Sequence, residues 1–425
     1  MRLQQESNGS HYLLSGEAQD NLGSSPTLDT LREADRKHGD PLDRLDILDA
    51  NLNCSKCGSE LTERFSAAMN GQLLCWQCAM SDTADTTNEI TRTTDSAKVV
   101  LSKSNLFHKS LCDYVINVAT GCTHGCKFCY VPSTPGVSAR GDMLGERADV
   151  EDVQRDWGGY LLYRDDLPER LGRKLERKRK WKWTERGQGV VMLSSGTDCY
   201  QDRRTAQITR GCVAELVEHR IPVRILTRSP AVCRDIDLYQ RATELTDDGM
   251  LVRVGSSIPC LEEEQVRAIE PRAPVPSARL NALQKLSDAG VPVYVSMSPT
   301  YPTQDRDDFE SLIQKFAQLD PEVVFHEPIN PRGANFDMTV EAAREAGETE
   351  LANELAKLRD REYWVDYSLK QMRWAEELGD EYGVNVHIWP DKQVITSVDS
   401  ETETELRNQR KRPSGEIIPD VPLPT

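Results

Sequence analysis

The chain has 425 residues, 28% of them charged, and a formal net charge of −17. So acidic a surface repels nucleic acid at long range except at a local basic patch, although it also fits a protein working in high salt. No stretch nears the roughly 20 apolar residues of a membrane span, and the opening MRLQQESNGSHYLLSGEAQD has no apolar core of signal-peptide length. A cytoplasmic protein with reduced thiols is therefore expected, and clustered cysteines are read as metal ligands rather than disulfides.

In chain order, residues 1–50 are polar and aperiodic, and are expected to form a mostly disordered arm. Residues 51–82 carry Cys54, Cys57, Cys75 and Cys78 in the spacing C-x2-C-x17-C-x2-C. Two knuckles about 15–20 residues apart are a zinc-ribbon signal. So short a module buries little apolar surface, so the metal would supply most of its folding energy. Such a site is closed, which fits a structural or binding role, with rubredoxin-like iron as the alternative to zinc. Residues 83–98, rich in Thr, Asp and Ser, read as a linker.

From about Val99, short β-branched runs alternate with helical patterns. Candidate strands are 114–120, 189–195, 222–229, 251–258, 291–298 and 322–330. Between them, SARLNALQKLSDAG spaces Leu280, Leu283 and Leu286 along one helix face and stops at Gly290, a favoured helix end. Alternating β and α units imply a parallel sheet or barrel. Six strands suit a partial (β/α)6 barrel over residues 99–338. A mainly helical extension over 339–425 follows, in which VNVHIWPD is a candidate extra strand. Chemistry in such folds gathers at the C-terminal strand ends. There this sequence places a three-cysteine turn, SSGTDCYQ, TRS, GSSIP, SMSPTYP and HEPINPRG.

The three-cysteine turn is ATGCTHGCKFCYVP, with Cys122, Cys126 and Cys129 spaced C-x3-C-x2-C. Tetrahedral zinc takes four ligands, and so does a fully protein-bound cluster. Three thiolates on a [4Fe–4S] cube leave one iron open to a small molecule that chelates through an amine and a carboxylate, as S-adenosylmethionine can. A zinc site completed by His124 or Cys112, or a bare electron-transfer cluster, uses the same three cysteines.

The spacing, the aromatic Phe128 before the last cysteine, and the βα array that follows resemble the radical SAM superfamily. The segments NVATGCTHGCKFCYVP, SSGTDCYQ, ILTRSPAVCRDIDL, VGSSIP, IEPRAPVPSARLNALQKLSDAG and HEPINPRG, over roughly residues 105–335, resemble its DNA-photolyase-like branch, which includes spore photoproduct lyase. That resemblance implies reductive cleavage of S-adenosylmethionine to a 5′-deoxyadenosyl radical that abstracts hydrogen, fed by a reductant such as a ferredoxin or flavodoxin. It implies Phe128 near the adenine, Thr197 and Asp198 by the methionine end or ribose, Arg228 on the cofactor carboxylate, and a hydroxyl from Ser256 or Ser257. The sequence departs where spore photoproduct lyase keeps a hydrogen-donating cysteine ahead of the aspartate. Here that place reads Ser195-Gly196-Thr197-Asp198, and the nearest thiol is Cys199. Cys199 and Tyr200 are candidates for quenching a substrate radical, against the plainer reading of Cys199 as a small buried residue.

Two further features stand out. RLGRKLERKRKWKW, residues 170–183, mixes cations with Trp181 and Trp183, a composition that grips single-stranded nucleic acid or coats an amphipathic helix. His326 and Glu327 end the sixth strand and are candidate site-lining groups, with Glu327 a candidate acid or base.

Overall fold

A computed structural model describes residues 90–409, apart from 105, 110, 178–182, 185–186 and 194, together with two short strands nearer the N-terminus. Those strands, Phe65–Ala67 (β1) and Leu73–Cys75 (β2), pair antiparallel. The expected arm over 1–50, and the side chains of Cys54, Cys57, Cys75 and Cys78, lie outside the described residues.

The remaining strands are Thr91–Thr94 (β3), Ser102–Lys103 (β4), Tyr114–Ile116 (β5), Ala119–Thr120 (β6), Tyr160–Tyr163 (β7), Trp183–Thr184 (β8), Gly187–Gln188 (β9), Val191–Leu193 (β10), Val223–Leu226 (β11), Val252–Ser257 (β12), Val293–Thr300 (β13), Val324–Pro328 (β14) and Val386–Ile388 (β15). One eight-stranded sheet runs β4-β5-β10-β11-β12-β13-β14-β15. Its seven strands from β5 to β15 are parallel, and β4 is an antiparallel edge. The sheet is an α/β partial barrel, open between β4 and β15 among the described residues, as six predicted strands and the extra VNVHIWPD strand suggest. A second sheet, β3-β7-β6, was not anticipated. It places β3 inside the stretch read as a linker, so residues 91–94 belong to the folded unit. The C-terminal extension is mainly helical, with the expected extra strand. Helix Arg361–Tyr382 leads into β15, which joins the main sheet beside β14.

The strands form because β-branched residues fill a pleated surface buried on both faces. Alternation sorts the side chains. Val252, Val254, Val293, Val295 and Val324 pack into the layer between the sheet and helices such as Arg203–Glu218, Pro276–Asp288 and Arg306–Leu319. The opposite parity points into the barrel. Tyr294 and Phe325 cluster there, and Arg224 and Arg253 both meet Glu322, at 3.6 and 3.1 Å. Gly255 is required by that packing, since a Cβ would lie 2.4 Å from the Tyr294 ring. Among the described residues no helix is long and apolar enough to cross a membrane.

Candidate metal centre

The chain leaves β5, makes β6, and turns into the cysteine loop at Gly121, whose φ is +94°. A Cβ there would sit 2.2 Å from the Tyr160 carbonyl oxygen, so β7 can approach only a glycine. Gly125, at φ +61°, reverses the loop between the first two cysteines and packs against Gly158. Cys126 is buried, and Cys122 and Cys129 are half-buried against Val131, Trp157 and Tyr160. The Cys129 amide donates to the Cys126 carbonyl at 3.1 Å, which closes the C-x2-C turn. Burial first, then the charges of Asp198 and Cys129, pushes the Cys122 thiol up to about 12. Burial also pushes Cys126 and Cys129 up to about 12. They are thiols at neutral pH in the metal-free chain, and a bound metal must displace their protons.

Two strand-end segments and the end of one helix hold this loop. After β10, Gln201 is fully buried and accepts from the Thr123 amide at 2.6 Å. Its own amide donates to Thr197 Oγ1 at 2.9 Å and to the Asp198 carbonyl at 2.7 Å. Thr197 in turn donates to the Gly121 carbonyl. Asp198 joins two strand ends: Oδ1 accepts from Thr227 Oγ1 at 2.6 Å and Oδ2 from the Arg228 amide at 2.8 Å. His124 Nδ1 lies 3.6 Å from Asp198 Oδ2. Burial, only partly offset by Asp198, lowers its pKa to about 4, so the imidazole is neutral. Beyond helix Glu263–Ile269, the Ile269 carbonyl accepts from the Lys127 amide at 2.8 Å and the Arg272 amide donates to the His124 carbonyl at 3.3 Å. Arg272 also clamps the Gly158 carbonyl at 2.5 Å. None of these roles for Gln201, Arg272 or Gly158 was anticipated.

Arg228, at the end of β11, has its Cζ 5.7 Å from the Phe128 ring centroid. Its Nε donates to Glu270 Oε2 at 2.9 Å. Burial lowers its proton affinity, but Glu270, Cys126, Asp198 and Cys129 outweigh that and raise its pKa, so it is cationic.

The family model described as the radical SAM superfamily matches residues 116–316, which span this loop and the strand ends that hold it. The chain belongs to the radical SAM superfamily. It is a radical SAM enzyme. An uncharacterized protein of Acidianus two-tailed virus is 32% identical over 282 residues, covering 63% of this chain and 85% of the viral one. An uncharacterized protein of Methanocaldococcus jannaschii is 27% identical, over 44% of this chain and 61% of that one. A spore photoproduct lyase mutant solved with dinucleoside spore photoproduct is 13% identical at TM-score 0.47, over 70% of this chain and 80% of that chain.

The radical SAM residues predicted from sequence fall into two groups. Cys122, Cys126, Cys129, Phe128, Thr197, Asp198 and Arg228 are brought together around one loop, as the contacts above describe. Ser256 and Ser257 end β12 with opposite parity. Ser256 shares the parity of Val254 and has a buried Oγ with no hydrogen-bond partner among the described residues, whereas Ser257 shares the parity of Gly255 and points inward. Cys199 and Tyr200 fall elsewhere. Both are fully buried in the layer beneath the helices, and the Tyr200 hydroxyl is taken by Asp235, at 2.7 Å, and by Tyr239. The radical-relay expectation is corrected accordingly, since core packing and a saturated hydroxyl explain both residues.

His326 also turns to the helix layer, bonding Thr300 at 3.1 Å and stacking edge-on to Phe309. Burial lowers its pKa to about 3, so it is a neutral core histidine rather than a site-lining one. Glu327 has the other parity and forms an ion pair with Lys109. That pair borders a cleft of about 230 Å³ that also takes in Arg332, Trp389, Asp391 and Lys392. In the basic segment, helix Leu167–Arg177 buries Leu167, Leu171 and Leu175. Its Arg170 donates to the carbonyls of Ala97 and Lys98, and Arg173 pairs with Glu169. Arg170 thus anchors neighbouring backbone and Arg173 pairs within its own helix, which is the amphipathic-helix reading. Residues 178–182 lie outside the described residues.

Proposed function

We propose that the chain holds a [4Fe–4S] cluster on Cys122, Cys126 and Cys129, binds S-adenosylmethionine beside it, and abstracts hydrogen from a substrate seated at the open end of the barrel. The observation that carries this reading is the convergence of three thiols with a partly exposed arginine beside an aromatic ring. When bound, the cluster and cofactor supply one-electron C–S cleavage and a hydrogen-abstracting radical. The residues fit that group. Three soft thiolates suit iron. Arg228 offers a guanidinium suited to a carboxylate in a partly dry site. Among the described residues no three His, Cys, Asp or Glu side chains are spaced around a single metal ion, whereas cluster thiolates each take a different iron.

The chain's own contribution is positioning. Gln201, Asp198 and Arg272 fix the loop before metal binds, Phe128 offers a ring face for the adenine, and Ser257 is better aimed than Ser256 to offer a hydroxyl. Glu327, with Lys109, stands where the cleft meets the barrel opening. We assign the substrate to this cleft, where cations beside Trp389 make nucleic acid the first class to test. A ferredoxin or flavodoxin is the reductant proposed. Zinc on Cys54, Cys57, Cys75 and Cys78 is a separate proposal that rests on their spacing. Metal analysis of the purified chain tests it, and a zinc content unchanged when Cys54 and Cys57 become serine would reject it.

The central experiment is anaerobic reconstitution with iron and sulfide, reduction with dithionite, addition of S-adenosylmethionine, and quantification of 5′-deoxyadenosine. The native chain is expected to produce it and Cys126→Ala is not. A reducible cluster that yields none would make the loop an electron-carrying site and overturn the proposal.

A further inference from the structure

The segment IEPRAP contains a buried carboxylate to which the reading above gives no task. Glu270 follows helix Glu263–Ile269 and is fully buried. Its Oε2 accepts from Arg228 Nε at 2.9 Å and from Arg279 Nη2 at 2.5 Å. Its Oε1 accepts from the Tyr301 hydroxyl at 3.3 Å. Arg279 is itself immobilised, donating from Nε to the Pro274 carbonyl at 2.6 Å and from Nη1 to the Ser257 carbonyl at 2.8 Å. Glu270 is therefore fixed from three sides and cannot follow a moving partner.

Arg228 is held differently. Glu270 takes its Nε, while among the described residues neither Nη has a hydrogen-bond partner. The side chain is 20% exposed, and Phe128 lies across from it. A guanidinium carries its five donors in one rigid plane. Fixing the Nε edge therefore fixes where the Nη groups point. Two arginines on one carboxylate also leave the cluster of three with a net positive charge, which favours an incoming anion. Glu270 neutralises only part of the charge it positions.

We propose that Glu270 is a positioning residue that grips Arg228 by its Nε edge and presents the Nη groups to the carboxylate of the methionine moiety of the cofactor. This rests on the reading that Arg228 takes that carboxylate. It adds a selectivity device: the site prefers the carboxylated cofactor because a buried acid aims the arginine, and not only because a cation is nearby.

The test is the preference of the reconstituted full chain for S-adenosyl-L-methionine over its decarboxylated form, measured by equilibrium dialysis, with iron content and thermal midpoint recorded alongside. Glu270→Asp keeps the charge but retracts the grip by one methylene. It should weaken binding of S-adenosylmethionine about tenfold, the scale of one charge-assisted hydrogen bond, and leave the decarboxylated form and the iron content unchanged. Arg228→Lys leaves the buried pair of Glu270 and Arg279 intact but offers no second edge. It should lower the preference as far as Arg228→Ala does. A preference unchanged in Arg228→Ala would overturn the underlying reading of Arg228. A preference lost in Arg228→Ala but retained in Glu270→Asp or Arg228→Lys would overturn the positioning role and leave that reading standing. Equal weakening of both ligands, or loss of iron in Glu270→Asp, would make Glu270 merely structural.

Discussion

Replacing Asp95 with asparagine should loosen the start of the cysteine loop by an amount that depends on pH. Asp95 follows β3, and its side chain is completely buried. It accepts from Thr120 Oγ1 at 2.6 Å, one residue before the Gly121 turn, and forms ion pairs with Arg140 and with Arg164 at 3.0 Å. Burial alone would raise its pKa, but Arg140, Thr120 and Arg164 outweigh that and hold it at about 2, against an ordinary 3.8. At about 1.4 kcal/mol for each tenfold change in proton affinity, the ionised form contributes roughly 2 kcal/mol at neutral pH. The folded value lies below the unfolded one. This stability is therefore fully present above about pH 4 and is lost as pH falls through about 2. Asp95→Asn keeps the shape and removes the charge, leaving Arg140 and Arg164, 22% and 12% exposed, without their counter-ion. A loss of about 2–3 kcal/mol is expected near neutral pH, less than for a pair sealed from solvent on both sides. Urea unfolding of the metal-free chain and the variant, at about pH 7, 5 and 3, measures it. The gap between the two should hold from about pH 7 to 5 and narrow by about pH 3. A gap that does not narrow, or one below about 0.5 kcal/mol at neutral pH, would refute the reasoning.

Two further substitutions separate strain at the loop from strain elsewhere. Gly121→Ala combines a positive φ with a Cβ 2.2 Å from the Tyr160 carbonyl. It should cost about 2–5 kcal/mol, the sum of left-handed backbone strain and overpacking, and should abolish iron loading. Gly290→Ala is its control, with φ +76° and, among the described residues, no atom within 4 Å of the new Cβ. It should cost only about 1–2 kcal/mol and leave iron per chain at the native value. Gln201→Met keeps the volume but removes the bonds to Thr123, Thr197 and Asp198. It should destabilise the chain by roughly 1–3 kcal/mol, as expected for buried groups left unpaired, and lower the iron retained on gel filtration. Full iron retention would show that the loop organises itself without the clamp.

The parallel strands are legible because short β-branched runs rich in Val and Ile, set between helical patterns, mark a doubly buried strand. The short strands are less legible: β3 and β4, whose sequences TRTT and SK are polar and carry no period, fall outside every candidate strand, as does the apolar YLLY of β7, and β6 is merged with β5 in the single candidate 114–120. Strands β3, β4 and β6 exist because neighbours offer open hydrogen-bonding edges: β7 to β3 and β6, and β5 to β4. Tertiary context decides such segments. The cysteine spacing and the strand-end residues were legible for a different reason, since each is a local pattern with a chemical meaning. Gln201, Glu270 and Arg272 were not. Each lies in a segment with a legible motif, but their tasks depend on which loops converge at the barrel opening, and one sequence does not state those distances.

Two of the misplaced residues, Ser256 and His326, share a cause that the sequence contains. In a strand, one step along the chain moves a side chain to the other face. Val252 and Val254 set the outward parity of β12, so Ser256 follows them outward and Ser257 turns inward with Arg253 and Gly255. The same count in β14 sends His326 outward with Val324 and Glu327 inward with Phe325. The observed packing agrees, with His326 against Phe309 and Phe325 against Tyr294 in the barrel. A strand end is therefore two addresses rather than one. HEPINPRG is not a single polar cluster at the mouth, since it joins a core histidine to a carboxylate of the opposite parity that pairs with Lys109. Cys199 lies beyond the last β10 residue, where parity no longer applies. Its place is set instead by the turn into helix Arg203–Glu218, where Thr209 holds the Cys199 carbonyl at 2.8 Å. A thiol one residue past Asp198 is thus drawn under the helix, while Asp198 itself stays with the cysteine loop.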